Sequence, residues 1–239
     1  MARAHGKDVK LYYAEIDATS YAGSIAVKPT AAVHDVTQFS SGAVEYAAGL
    51  IGWEGTIESV YDNAAAGLWY LSAGRLGSDT ASHGLFSWFD NGAAAIGDKG
   101  FVGSPAVIAE NSTPLSVNDM VRSTLTIRGN GRPGIRAVLL HPLATRSSTN
   151  NVSSHDAGAA ESNGGRGNLH VTAVTGDWTI AIQDSADNSS FATIISFANV
   201  TAVGGYTGTV TGSVRRYRRV LYTVNSAGSI TFVVGFSAY

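Results

Sequence analysis

The stretch of the chain that decides the fold is residues 34–62, HDVTQFSSGAVEYAAGLIGWEGTIESVYD. Its second part, from Trp53 to Tyr61, alternates between apolar or small residues and polar residues. Successive side chains of a β-strand point to opposite faces of a sheet. The pattern therefore predicts a strand with one packed face and one wet, acidic face that carries Glu54, Thr56 and Glu58.

The first part of the stretch predicts a loop over residues 39–52. This segment is rich in Ser, Gly and Ala, yet it also contains Val44, Tyr46, Leu50 and Ile51. That is more apolar surface than a solvated loop needs, so we expect the loop to pack against another surface. Another copy of the same chain is one candidate for that surface.

The order of these residues resembles the tail tube proteins of long-tailed bacteriophages. Those proteins have a segment of the type Asp-Val/Thr-Thr-x-Phe, then a loop with an acidic-aromatic pair and Gly-Leu, then a strand of the inner tube wall. The matching residues here are Asp35–Phe39, Glu45–Tyr46, Gly49–Leu50 and the strand from Trp53. The resemblance covers residues 1–143. The later segments Gln183–Asp187 and Arg216–Val220 also resemble parts of phage structural proteins.

The resemblance implies a structural virion protein of the phage tail. Six copies would form a ring by continuing their β-sheets from one subunit to the next, and rings would stack into a hollow tube. DNA would pass through the lumen without specific binding, past Glu54, Thr56 and Glu58. The loop would contact neighbouring subunits or the next ring through Phe39, Val44, Glu45, Tyr46, Gly49, Leu50 and Ile51.

The same resemblance implies further partners and a location. Besides other copies of the chain, the partners would be the tape-measure protein and the tail terminator and tip proteins. The protein would be made and assembled in the cytoplasm of the bacterial host and would end in the virion tail.

The composition fits an assembling β protein, but it fits a neutral secreted β protein equally well. Hydrophobic residues make up 44% of the 239 residues and charged residues only 14%, and charged groups are depleted at the cores of subunit interfaces. The net charge of −2 argues against a general nucleic-acid binder. Residues 1–120 hold 6 Lys and Arg against 13 Asp and Glu, a net −7, while residues 121–239 hold 10 against 5, a net +5.

The sequence predicts no cofactor, metal site or membrane segment. The chain has no cysteine, which excludes disulfides and thiolate metal ligands. Its six histidines are scattered without metal-binding spacing. The basic N-terminus lacks the continuous apolar run of a signal peptide, and no apolar run approaches the roughly 20 residues of a membrane helix.

Apolar periodicity predicts a mainly β fold in two parts. Residues 1–143 would form an antiparallel tail tube domain with strands at 10–16, 24–36, 53–61, 84–89, 99–110, 119–129 and 135–141. Its one short helix, over residues 63–72, would be capped by Asp62. Residues 144–167 would form a linker or long loop. Residues 168–239 would form a small six-stranded sandwich that decorates the outside of the tube, or else completes the tube sheets.

Two motifs invite functional interpretations. Residues 129–134, GNGRPG, match a dinucleotide fingerprint, but a strand-like segment follows where a phosphate-binding helix is required, so we expect a hairpin turn. The cluster Arg215, Arg216, Arg218 and Arg219 favours an interface or a solvated sheet edge over a nucleic-acid groove, and the partners of an interface would be acidic surfaces of the N-terminal half.

The sequence also bears on two other classes of function. No acid-base or nucleophile constellation indicates an enzyme. The alternative function is a sandwich that binds carbohydrate or a host surface through exposed Trp178, Phe191 and Tyr206. A planar, exposed cluster of these rings would favour that alternative, and their burial would count against it.

Overall fold

The computed structural model describes residues 6–38, 40–62, 67–78, 80, 83–115 and 120–239. Within these ranges the chain forms one α-helix, three short 3-10 helices and many antiparallel strands. The helices are α1 (Leu68–Ala73) and the 3-10 turns Gly6–Asp8, Ala18–Ser20 and Asn91–Ala93. The strands of the first half are β1 (Lys10–Tyr13), β2 (Ile16–Asp17), β3 (Ala22–Asp35), β4 (Tyr46–Val60), β5 (Phe86–Phe89), β6 (Lys99–Val102), β7 (Ala106–Ser112), β8 (Arg122–Gly129) and β9 (Gly134–Arg146). Those of the second half are β10 (Asn150–Asn151), β11 (His155–Asp156), β12 (Gly165–Val174), β13 (Asp177–Ser185), β14 (Ala192–Val200), β15 (Gly204–Val210), β16 (Tyr217–Ser226) and β17 (Ile230–Ala238).

The strands build three sheets. An eight-stranded sheet has the order β15-β12-β17-β9-β6-β5-β1-β2, and a four-stranded sheet has the order β3-β4-β8-β7. In the third sheet the order is β10-β16-β13-β14, with β11 also pairing with β16. The mainly β, antiparallel fold class predicted from the sequence is confirmed.

The large sheet contributes to three hydrophobic cores, and the smallest of them is formed mainly by its own strands. The other two cores pack this sheet against the two smaller sheets. One core joins the four-stranded sheet to β1, β5 and β6 around Trp53, Ile57, Phe86 and Ile127. The other joins β9, β12 and β17 to the third sheet around Trp178. Each of these two cores is a two-layer packing of sheets that buries one face of each strand. The eight-stranded sheet is therefore the common wall of both halves.

The predicted linker carries regular structure. β9 runs to Arg146, so it crosses the expected end of the first domain at Leu143, and its residues 144–146 pair with Phe232, Thr231 and Ile230 of β17. Residues 150–151 and 155–156 pair with β16, and β12 begins at Gly165. The division into two domains stays a prediction, and the shared sheet is the structural feature that bears on it.

Several other expectations were wrong in detail. The predicted strand 99–110 is two strands in different sheets, β6 and β7, because Pro105 lies where the chain leaves one sheet for the other. Residues 129–134, for which we expected a hairpin turn, do not connect two paired strands, since β8 and β9 belong to different sheets. α1 begins after Gly67 rather than Asp62, and residues 63–66 lie outside the described residues. The six strands expected between 168 and 239 are all present.

The described part of the chain contains no helix with the length and apolar character needed to span a lipid bilayer.

Candidate functional site

The hairpin of β3 and β4 extends past the sheet to which it belongs. β4 pairs with β8 only from Trp53 to Val60, whereas its residues 46–52 pair with β3 alone. Half of the predicted loop 39–52 is thus a strand. We call residues 30–52 the arm; Phe39 lies outside the described residues.

The arm has an ordered turn. The Val36 amide donates to the Glu45 carbonyl at 2.9 Å, and the Glu45 amide donates to Thr37 Oγ1 at 2.9 Å. Asp35 Oδ1 accepts the Thr37 amide at 2.9 Å, and hydrogen bonds from Thr37 hold the pKa of the Asp35 carboxyl below its usual value. Asp35, Thr37 and Glu45, which are among the residues that carry the family resemblance, therefore close the turn of the arm.

Apolar side chains of the arm are exposed to solvent. Leu50 is 89% exposed and Tyr46 is 67% exposed, although both belong to a regular strand. An isolated two-stranded hairpin is marginally stable in water, and a contiguous exposed apolar patch usually marks a binding surface. The exposed apolar residues of the arm are Val33, Val36, Val44, Tyr46, Leu50 and Ile51.

Gly49 lets the two strands of the arm approach each other. A Cβ atom at this position would lie 2.9 Å from the Cβ of Ala32 and 2.7 Å from His34 Nε2. The Ala32 methyl group has no flexible end that could move aside. The Gly49–Leu50 pair of the family motif thus combines a close contact between the two strands with a leucine that is 89% exposed.

The solvated face of the four-stranded sheet was predicted correctly in its alternation but not in its charge. Trp53 and Ile57 are buried, whereas Glu54, Thr56 and Glu58 point away from the core. Glu54 pairs with Arg128 of β8 at 2.9 Å and lies opposite Lys28 of β3. Ser24 Oγ of β3 donates to Glu58 Oε2 at 2.9 Å. The face is therefore of mixed charge, because cations from neighbouring strands flank the carboxylates.

These partners were not predictable from the sequence, because alternation within a single strand does not give the register between strands. Lys28 and Arg128 become neighbours of Glu54 only once β3, β4 and β8 are aligned. Val33 and Val36 were also missed as exposed arm residues. Only the absence of a buried partner strand beyond Pro29 would have indicated that these two residues are exposed, and no local sequence pattern shows that absence.

The two outer strands of the four-stranded sheet differ in accessibility. No strand within the described ranges pairs with the outer edge of β3, and Pro29 lies in this edge strand as its missing amide hydrogen predicts. On β7, by contrast, the Gly77 amide donates to the Ile108 carbonyl at 3.0 Å, and Asn111 Nδ2 donates to Ser72 Oγ at 3.0 Å. The segment from α1 to Gly77 therefore covers part of the β7 edge.

The predicted basic interface cluster is mostly engaged within the chain. Arg215 pairs with Asp184 at 2.8 Å, and Arg216 pairs with Asp156 at 2.6 Å. Arg219 donates to Gln183 Oε1 at 2.9 Å and lies 3.8 Å from the centre of the Phe191 ring. Arg218 is buried. A role of this cluster in subunit contact stays a prediction.

The aromatic residues of the alternative function do not form an exposed cluster. Trp178 is fully buried, and its Nε1 donates to the Thr175 carbonyl at 3.0 Å. Phe191 lies under Arg219. Tyr206 donates its hydroxyl to the Ala202 carbonyl at 2.8 Å. The burial of Trp178 and the internal contacts of the half-buried Phe191 and Tyr206 count against a carbohydrate-binding surface at these three rings.

Two histidines are buried, and both have structural roles. His170 lies between the Ala14 carbonyl at 2.9 Å from Nδ1 and the Ser87 hydroxyl at 2.9 Å from Nε2. His141 stacks on Phe232, with ring centres 4.2 Å apart. Burial lowers the pKa of each imidazole to about 4. No group of three or more potential metal ligands occurs among the residues that the structure describes.

Comparison with known proteins gives structural neighbours only, since no family model and no curated protein sequence matches the chain. The tail of an empty gene transfer agent particle, refined with C6 symmetry, matches with a TM-score of 0.39 and 17% identity over 56% of this chain and 98% of that one. The tail tube of SPP1 matches with a TM-score of 0.41 and 14% identity over 54% of this chain and 80% of that one. The SPP1 Dit protein, described as a hub of the adsorption apparatus, matches with a TM-score of 0.31 and 9% identity over 94% of this chain and 98% of that one.

At TM-scores and identities this low, the likeness by itself assigns no role to any residue.

Proposed function

We propose that the chain is a structural virion protein of a phage-type tail, and that its copies associate through the arm into rings that stack as a hollow tube. The observation that carries the proposal is the arm itself. A regular two-stranded hairpin exposes Leu50 and Tyr46 to 89% and 67%, and such a surface gains free energy when another protein surface covers it.

A second copy of this chain is the partner that the molecule favours. Homo-oligomers of soluble proteins are mostly closed rings or dimers built from one repeated contact. The accessible edge of β3 gives an additional site for pairing, because an open strand edge presents unpaired amide and carbonyl groups. The ring of six, the stacking, and the passage of DNA past Glu54, Thr56 and Glu58 are the finer parts of the proposal.

The mixed charge of the solvated face determines how we expect this face to interact with DNA. Lys28, Arg122 and Arg128 share this part of the sheet with Glu54 and Glu58. Paired charges of both signs give little net attraction for phosphates, because binding to the DNA backbone depends on unpaired cations. In this proposal the carboxylates act by neutralising the nearby cations.

Photo-crosslinking tests the proposal directly, because the natural chain has no cysteine. A Leu50→Cys variant carrying a benzophenone maleimide should give a ladder of covalent oligomers that ends at six. The same label on a Val203→Cys variant, at an exposed position of the other half, is the matched control. Equal crosslinking at both positions, or none at Leu50→Cys, would refute the arm as the contact.

A further inference from the structure

A cavity of about 300 Å³ lies where the turn between β8 and β9 meets the end of β17. Its lining includes three arginines and one carboxylate: Arg132, Arg136, Arg218 and Glu161. Tyr239 forms part of another wall. The cavity belongs neither to the arm nor to the solvated face of the four-stranded sheet, and the proposed function does not use it.

Arg218 is the buried donor of this cavity. It is only 4% exposed, and its Nε donates to the Arg215 carbonyl at 3.2 Å. Its guanidinium lies 5.5 Å from the centre of the Phe236 ring. Nη2 of Arg218 is buried and has no acceptor among the described residues. A buried charged donor without an acceptor is costly, because water no longer solvates it.

Local carboxylates do not satisfy this donor. Asp184 is held by Arg215, whose amide and guanidinium both donate to it at 2.7 to 2.9 Å. Glu161 is exposed, and its main chain is fixed by two hydrogen bonds with Val214. Both acids act on Arg218 electrostatically, but neither forms an ion pair with it among the described residues.

The other two arginines add positive charge at the mouth of the cavity. The Arg132 guanidinium lies 4.2 Å from the centre of the Tyr239 ring. The Arg132 carbonyl accepts from the Tyr239 hydroxyl at 3.0 Å and from Arg166 Nε at 3.2 Å. Arg136 is exposed at the start of β9. Among the side chains, three guanidiniums against one carboxylate give the cavity positive charge, and its wall is fixed by hydrogen bonds.

We propose that this cavity binds an oxyanion group, a phosphate or a carboxylate, with the Arg218 guanidinium as the inner donor and Arg132 and Arg136 as the outer donors. Guanidinium groups bind such groups with short, charge-assisted hydrogen bonds. The Arg218 side chain would turn towards the ligand, so that Nη2, which has no acceptor among the described residues, reaches a ligand oxygen.

The test is a titration of the full-length chain, kept dilute and monomeric, with inorganic phosphate at constant ionic strength. Because a ligand that binds only the folded state raises the melting temperature, we expect phosphate to raise Tm where equal chloride does not. An Arg132→Gln/Arg136→Gln double variant changes only exposed side chains and should bind phosphate about tenfold more weakly, through loss of two charge-assisted contacts. Arg128→Gln, on the four-stranded sheet, is the matched control and should bind as the natural chain does.

Three results would overturn the site. These are no phosphate-dependent change in Tm, unchanged affinity in the double variant, or an equal loss of affinity in Arg128→Gln. Calorimetry of an Arg218→Lys variant gives a second readout. Lysine keeps the charge but loses the planar fork, so its phosphate affinity should fall while the chain stays folded.

A second experiment identifies the source of the natural oxyanion, and only this experiment depends on the proposed assembly. If phosphate weakens assembly of the natural chain but not of the double variant, the occupant is an acidic side chain of another copy. If phosphate binds and assembly is unchanged, the occupant is a free ion. Because phosphate binding is measured on monomers, a failure of assembly leaves the test of the site intact.

Discussion

Leu50 is the single residue on which the assembly surface can be tested most simply. It is 89% exposed in one copy of the chain, so Leu50→Asp should change the free energy of unfolding by no more than about 0.5 kcal/mol. In an assembled interface the same change would bury an unpaired carboxylate, which is strongly unfavourable. We expect this variant to stay monomeric in sedimentation velocity at concentrations where the natural chain assembles.

Val203→Asp controls for a new surface charge, since Val203 is exposed on the C-terminal half. This variant should assemble as the natural chain does. Normal assembly of Leu50→Asp would show that the arm is not the contact.

The carboxylates of the solvated face give a prediction about DNA. Replacing Glu54 and Glu58 by Gln leaves Lys28, Arg122 and Arg128 without neighbouring negative charge on that part of the sheet. We expect assembled double variants to retain DNA at low salt and to release it as salt rises, because the interaction would be with phosphates. Filter binding at two salt concentrations measures this effect. Equal retention by the natural and variant assemblies would mean that this face does not meet DNA.

Buried histidines predict how stability depends on pH. Burial lowers the pKa of His141 and His170 to about 4 in the folded chain, below the ordinary value of 6.5. The unfolded chain therefore binds more protons between these values, and the free energy of unfolding falls as pH drops from about 6.5 towards 4. Each pKa unit corresponds to about 1.4 kcal/mol.

Urea unfolding at several pH values from 7.5 to 5.5 measures the first part of this loss, above the range where ordinary carboxylates titrate. A His170→Gln variant should show a shallower pH dependence, whereas His34→Gln, on the exposed arm, should match the natural chain. A stability that is constant over this pH range would contradict the burial of both imidazoles.

Among the elements, the arm can be removed without touching the core. Thr30 and Gly52 are paired opposite each other, so replacing residues 31–51 by Asn-Gly would close the hairpin with a two-residue turn that suits antiparallel strands. The buried residues of β4 begin at Trp53. We expect a chain that still unfolds cooperatively but no longer assembles. A deletion of Ser41–Leu50 should have the same effect on assembly, but it leaves residues 33–35 of β3 without their partners in β4.

If the shortened chain fails to fold, the arm contributes to the core, contrary to its exposure. If it folds and still assembles, the contact lies elsewhere.

The arm also shows how far the sequence could predict the structure. Alternation identified the strand from Trp53 and the faces of Glu54, Thr56 and Glu58, because these faces follow from a period of two residues. It did not show that β4 starts at Tyr46, since residues 46–52 have no buried face that would impose a period. The sheet change at Pro105 was missed for a related reason. Both β6 and β7 are apolar, and a local pattern does not specify which sheet a strand joins.

At the scale of the whole molecule, the eight-stranded sheet connects the two halves. Val138 and Leu140 of β9 belong to the core that contains Trp178, and Val234 of β17 pairs with His141. A chain that stops after Leu143 would expose these residues and leave β9 with an open edge. We expect this fragment to aggregate or to lack the near-ultraviolet spectrum of a packed core. A cooperative, soluble fragment would instead establish residues 1–143 as an independent domain.

The six strands of the second half were predictable because each is a short alternating run between turn residues. Their partners were not, since β12 and β17 join the sheet of the first half and only long-range pairing decides this. The cavity around Arg218 could not be predicted from the sequence for the same reason. Arg218 is more than 80 positions from Arg132 and Arg136 in the sequence, and β-pairing alone brings them together.

Electron microscopy of the purified full-length chain at high concentration, in negative stain, tests the proposed assembly most directly. We expect rings with six-fold symmetry or hollow tubes, and we expect neither from Leu50→Asp prepared in the same way. Separate monomers at every concentration, or identical particles from both proteins, would contradict an assembly built through the arm.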